Sequence, residues 1–294
     1  MVFDRGMVSS ALDYRGFVKR IGCRKGAGAS VSFSALVTTR RSAYRQNTAM
    51  TQTPRRTPDQ SAQAFLTPRK LDRPLPLFMP DARVLVADGP VGKVVGRMQG
   101  DGPCVVLLHG WEGAASDFSG FVPPLLVAGF SVLALDLPAH GASEGDLVSI
   151  PLAAEALLVV QDALGPQHSF HAGIGHSLGA AILIHAMTQG CRVARAALIA
   201  APAHTLDYAR DYCERDGLDA EQAEQMLDHL HSSFGVDVRA ISLSTQAVQL
   251  TQPALLVHSD DDRVVHEFGF CERNALVTTV LHPPKLKHLR LSRA

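Results

Sequence analysis

The pentapeptide Gly175-His176-Ser177-Leu178-Gly179 constrains this chain more than any other stretch of its sequence. A serine with glycine two positions to either side suits a turn so sharp that the serine backbone leaves the ordinary allowed regions. Where the chain folds back on itself that closely, only residues without a Cβ fit. Upstream, residues 169–174 read as a short buried strand, and downstream residues 180–189 are small, apolar and helix-favouring. The predicted local structure is strand, tight bend, helix, with one hydroxyl held at the bend.

Composition bounds the rest. At 294 residues and 46% hydrophobic content the chain can bury one sizeable core with appendages. Lys+Arg and Asp+Glu both total 28, so net charge gives no reason to expect a nucleic-acid or membrane-surface partner. Cys23, Cys104, Cys191, Cys213 and Cys271 are scattered and form no Cys-x-x-Cys pair, which argues against a disulfide framework or a zinc site and for a reducing, cytoplasmic setting. No uninterrupted apolar run reaches the roughly 18 residues that a membrane span requires.

The first 49 residues are basic, with Arg5, Arg15, Lys19, Arg20, Arg24, Lys25, Arg40, Arg41 and Arg45 against only Asp4 and Asp13. A targeting arm, a nucleic-acid-binding tail and a disordered extension upstream of Met50 all fit that composition, and the extension is the reading adopted. From residue 51 to 80 the prolines Pro54, Pro58, Pro68, Pro74, Pro76 and Pro80 point to a linker or surface strap. Residues 1–80 are therefore expected to be a basic, Pro/Arg-rich extension and linker, and residues 81–294 the folded domain.

Within that domain, residues 83–87 and 92–98 read as two strands joined by a turn at Asp88-Gly89. Residues 104–108, 131–135, 169–174, 196–200 and 254–257 are nearly continuous apolar runs, as strands covered on both faces must be. Residues 116–128, 150–164 and 177–189 are helix-compatible, giving β-α-β alternation. The expected fold class is α/β, a mostly parallel, doubly wound sheet. The polar stretch 205–249, with helical spacing at 219–231, interrupts that rhythm and is expected to form a small helical cap.

Chemistry gathers where such sheets place their ligand crevices, after the carboxyl ends of strands. His109-Gly110-Trp111-Glu112-Gly113 follows one predicted strand, Asp136-Leu137-Pro138-Ala139-His140-Gly141-Ala142-Ser143 follows the next, and the serine pentapeptide follows a third. In this conjunction, over about residues 82–279, the chain resembles the α/β-hydrolase superfamily. The resemblance implies a serine esterase-like enzyme with Ser177 as nucleophile and the backbone N–H groups of Trp111 and Leu178 as the oxyanion hole. A serine hydroxyl needs a base in contact, and the developing oxyanion needs donors fixed in advance.

His258-Ser259-Asp260-Asp261-Asp262-Arg263-Val264-Val265 resembles the loop that carries the family's acid. Asp262 takes the acid position, with Asp260 as runner-up. The family's histidine follows the last strand, read here at residues 275–279. Two residues compete for it, His288 within Leu286-Lys287-His288-Leu289-Arg290 and His282 within Leu281-His282-Pro283-Pro284. His288 is preferred and His282 is the alternative base. His109, Asp136 and His140 are read as residues that shape their loops, and Trp111, Phe118 and Leu137 as either acyl-pocket or core residues. The expected partner is a small-molecule acyl substrate, with no cofactor, no metal, no nucleic acid and no membrane. A catalytically inactive protein of the same fold that only binds ligand is the competing reading.

Overall fold

A computed structural model describes residues 56–70 and 79–258, together with the backbone of the strand Val277–Leu281. Eight strands form one sheet: β1 (Arg83–Gly89), β2 (Gly92–Gln99), β3 (Cys104–Leu108), β4 (Ser131–Leu135), β5 (Ala172–His176), β6 (Ala196–Ile199), β7 (Ala254–Val257) and β8 (Val277–Leu281), in the spatial order β1-β2-β4-β3-β5-β6-β7-β8. β2 runs antiparallel to β1 and β4, and every other neighbouring pair is parallel.

Every residue of β3, β4, β5 and β6 is buried. Alternate residues of each strand point to opposite faces, so one continuous apolar run supplies two cores. Val106, Leu108, Leu133 and Leu135 pack on one face with α3 (Ile150–Ala163) and α4 (Leu178–Thr188). Val105, Leu107, Val132 and Ala134 pack on the other with Phe118, Leu125 and Phe130.

Several elements differ from the sequence reading for identifiable reasons. The hairpin turn is Pro90-Val91, because Gly89 pairs with Gly92 and Gly92 takes φ +119. The helix expected at residues 116–128 is a 3-10 turn, Ala115–Phe118, followed by the short α2 (Val122–Val127). Pro123 and Pro124 lack the N–H groups that would bond back to residues 119 and 120, so no helix runs through. β5 begins three residues later than expected, since Phe170 makes only an isolated bridge to Val193. β8 lies two residues beyond its expected position.

The larger correction concerns residues 51–80, read as linker. Pro58–Leu66 is a nine-residue helix, α1. Pro58 stands at the first helical position, where its missing N–H costs nothing, and no further proline occurs until Pro68. The Gln60 side chain accepts from the Thr57 N–H at 3.2 Å, closing the helix start.

The 205–249 segment folds into α5 (Thr205–Arg215), α6 (Ala220–Phe234) and α7 (Leu243–Val248). Asp219 caps α6 by accepting from Gln222 N–H at 2.9 Å, and Gly235 ends it at φ +67. α7 returns to the sheet, burying Leu243 and Ala247 in the main core. α1, α5 and α6 instead share a separate apolar cluster that includes Ala62, Leu66, Ala209, Cys213, Met226, Leu227 and Leu230. Asp216, just past α5, accepts from both Arg56, at 2.6 Å, and the fully buried Ser61 hydroxyl. Asp216→Ala leaves that hydroxyl unpaired and is expected to weaken the docking of α1 by about 1–3 kcal/mol. Hydrogen exchange should show faster exchange across α1 with β3–β6 unchanged.

Candidate active site

β3 has β4 on one side and β5 on the other, so the chain leaves β3 in one direction and crosses to the opposite side after β4. Loops diverge at that point and open a crevice at the carboxyl ends of β3 and β5. Ser177 stands there, directly after β5 and at the cap position of α4, with φ 51 and ψ −114. Its N–H donates to the Ile199 carbonyl at 2.8 Å, and its own carbonyl accepts from Ala180 and Ala181 at 3.0 and 3.1 Å. These bonds hold the bend from three sides.

The glycines of the pentapeptide are required by contact. A Cβ on Gly179 would lie 2.1 Å from the Leu108 carbonyl oxygen, and one on Gly175 would lie 2.6 Å from the Ala180 backbone. The first turn of α4 thus passes backbone against backbone over the end of β3. Leu178 and Gly179 are the first two residues of α4, ahead of its first intrahelical bonds, so their N–H groups point out at the positive end of the helix dipole.

Two neutral imidazoles lace the loops after β3 and β4 together. His109, fully buried, donates from Nδ1 to the Gly110 carbonyl at 2.8 Å and accepts at Nε2 from the Leu137 N–H at 3.0 Å. His140 donates from Nδ1 to the Pro138 carbonyl at 2.9 Å and accepts at Nε2 from the Glu112 N–H at 3.0 Å. A nitrogen that accepts an N–H cannot also carry a proton, and burial pushes the His140 pKa below its ordinary value. Asp136 accepts from Ala115 and Ala142 N–H at 2.7 and 3.0 Å, and the space beside its carboxylate admits only Gly141. All three residues shape loops, as their positions in sequence imply.

Backbone strain concentrates at the same edge. Among the described residues, the non-glycine residues with positive φ are Glu112, Ala139, Ser177 and Ala200, and they follow β3, β4, β5 and β6 in turn. Such conformations cost on the order of 1–3 kcal/mol each and persist where surrounding structure enforces them. At Glu112 the enforcement is visible. Arg69 donates from Nε at 2.7 Å and from its terminal nitrogen at 2.6 Å to the Glu112 carboxylate, holding its pKa below the usual carboxylate range.

Above Ser177 lies an apolar chamber of about 100 Å³, lined by Ser177, Trp111 and Leu178 together with Phe65, Leu66, Val148, Ile150, Tyr208, Val238 and Ile241, among others. A larger, more open and more polar groove of about 700 Å³ meets it at Phe65, Trp111 and Tyr208 and carries Arg56, Gln60, Gln63, Glu112 and Tyr212. Ser177, Trp111 and Leu178 are therefore brought together, whereas Phe118 and Leu137 are fully buried core residues. Asp260, Asp262, His282 and His288 lie outside the described residues. Phe65, Leu66 and Tyr208 were not anticipated as wall residues. Ala62, Phe65 and Leu66 do stand at helical i, i+3, i+4 spacing within the proline-free window, a signal hidden by the flanking prolines.

Cys104, Cys191 and Cys213 are buried and free, and burial pushes the first two thiols up to about 11 and about 12. Among the described residues no cluster of three or more His, Cys, Asp or Glu could hold a metal ion, and no helix is long and apolar enough to cross a membrane.

A family model for the alpha/beta hydrolase fold matches residues 103–215, the span from β3 through α5. The chain has the α/β-hydrolase fold. Solved structures of this fold include an esterase from Pyrococcus furiosus, with 18% identity, TM-score 0.56, and coverage of 74% of this chain and 89% of that one. An esterase from Exiguobacterium antarcticum has 18% identity and TM-score 0.53, covering 68% and 91%. The carboxylesterase CesB from Bacillus subtilis has 18% identity and TM-score 0.51, covering 72% and 87%. At that identity the likeness is one of fold. No curated protein matches the sequence.

Two outcomes are expected of this fold. Ser177→Gly relieves the positive φ and should stabilise the fold by about 0.5–2 kcal/mol net of glycine's greater unfolded-state entropy, a gain absent in Ser177→Ala and readable by thermal or urea melts. His140 is held neutral in the fold but protonates near 6.5 when unfolded, so stability falls as pH drops below about 6.5. Replacing it with glutamine should make that decline shallower in urea melts between pH 7 and 5.

Proposed function

We propose that the protein is a serine hydrolase that cleaves a carboxylic ester or related acyl bond of a small molecule through an acyl-enzyme. The observation that carries this reading is the setting of Ser177, strained at φ 51 at the head of α4 and lining an apolar chamber with Trp111 and Leu178. Strain of this kind is retained where a side chain must be presented in one direction.

In the proposed mechanism the Ser177 hydroxyl attacks the substrate carbonyl carbon while the imidazole of His288, with His282 as the alternative, takes its proton. Asp262 orients that imidazole and offsets its positive charge. The N–H groups of Trp111 and Leu178 receive the oxyanion, and losing one such donor raises the barrier by roughly 3 kcal/mol. The protonated imidazole passes its proton to the leaving oxygen, the acyl group stays on Ser177, and water releases it by the reverse sequence. The esterase neighbours of the same fold support a hydrolase. The buried free thiols suit the cytoplasm, where disulfides do not form.

A fluorophosphonate probe should label the wild type and not Ser177→Ala, and p-nitrophenyl ester hydrolysis should fall at least 10³-fold in Ser177→Ala and in the variant of the true base, either His288→Ala or His282→Ala. Activity should decline as pH drops through about 6.5, where the free imidazole becomes protonated. A folded wild type that neither reacts with the probe nor hydrolyses any ester is a binding protein instead.

A further inference from the structure

α1 lies upstream of the whole sheet, yet it is tied to three parts of the site. Its buried face joins the cluster of α5 and α6. The Leu66 carbonyl, at its last residue, accepts from the Val148 N–H at 2.9 Å, just ahead of α3. Three residues further on, Arg69 grips Glu112, the residue after Trp111. The helix is thereby fixed from both the helical layer and the sheet, with Phe65 and Leu66 forming one wall of the chamber at Ser177.

We infer that α1 sets the substrate range of the enzyme: Phe65 and Leu66 wall the chamber, Phe65 where it meets the groove, and restrict the acyl part of the substrate to a short apolar chain. The inference rests on the hydrolase reading above. Its size limit follows from volume. An apolar cavity of roughly 150 Å³ accommodates benzene, so one of about 100 Å³ holds about four carbon atoms. Its assignment to the acyl side follows from the order of the steps. The acyl group remains on Ser177 until water arrives, whereas the leaving group must depart first. The narrower, apolar chamber that Ser177 lines suits the part that stays, and the wider, more polar groove beyond Phe65, Trp111 and Tyr208 suits the part that goes. That groove's side chains include Arg56, Gln60, Gln63 and Tyr212, so the favoured substrate couples a short acyl chain to a hydrogen-bonding alcohol.

p-Nitrophenyl acetate, butyrate, hexanoate and octanoate share one leaving group, so differences in kcat/KM among them report on the acyl side alone. For the full-length wild type, kcat/KM should fall at least tenfold from butyrate to octanoate. Phe65→Ala and Leu66→Ala should each raise the octanoate-to-butyrate ratio at least tenfold, and Phe65→Trp, which narrows the chamber, should lower the butyrate-to-acetate ratio. The tryptophan variant keeps the test decisive if truncation unfolds α1. Ratios that stay at the wild-type value in variants with native melting curves overturn the role of α1 and leave the hydrolase reading standing. A wild type inactive on all four esters overturns the role of α1, and overturns the hydrolase reading as well when the fluorophosphonate probe fails to label it.

Discussion

The first turn of α4 crosses the end of β3 with no side chain between them, and the rest of the site depends on that approach. Gly179 sits against the Leu108 carbonyl and Gly175 against Ala180, so the helix can begin within one residue of the strand's end. Moving the helix outward by the width of a methyl group would carry Ser177 and the Leu178 N–H with it. The register of the sheet contributes as well, because Leu108 lies opposite Gly175 and places the end of β3 beneath the bend. A strained serine, an outward-pointing amide and a floor of packed strands are thus consequences of one backbone contact.

Around that contact the loops are held by polar side chains that each bond backbone groups on two sides. His109 and His140 each spend one ring nitrogen as a donor to a carbonyl and the other as an acceptor from an amide, and Asp136 ties the same two loops from the side. Buried polar groups satisfied in this way fix a geometry more firmly than apolar contacts do, because breaking any of these bonds leaves a desolvated partner behind. The chain around Trp111 is then positioned by the β4 loop on one side and by Arg69 on the other.

Much of this was legible in the sequence, for a physical reason. β3, β4 and β7 match their predicted limits because a strand covered on both faces must be apolar at every position, and polar or glycine residues end it sharply. The serine bend was legible because its sterics demand glycine at two positions. β5 was harder to delimit, since Phe170 is as buried as the strand that follows it. The break at Pro123-Pro124 could have been read from the missing N–H groups. α1 was missed because six prolines across residues 51–80 dominate the composition of that stretch, whereas what matters for a helix is the length of the gap between two of them. The acid and the base belong to segments outside the described residues, so their assignment still rests on sequence.

Among the described residues the apolar interior falls into three clusters, one on each face of the sheet and one apart from it. The sheet and the helices packed on it own the first two, while α1, α5 and α6 gather around Met226, Leu227 and Leu230 in a smaller one of their own. Regions with separate cores come apart at separate free energies. Loosening of the smaller one is therefore expected to cost less than melting the sheet, and the Leu66–Val148 and Arg69–Glu112 bonds are the ties that would have to break first.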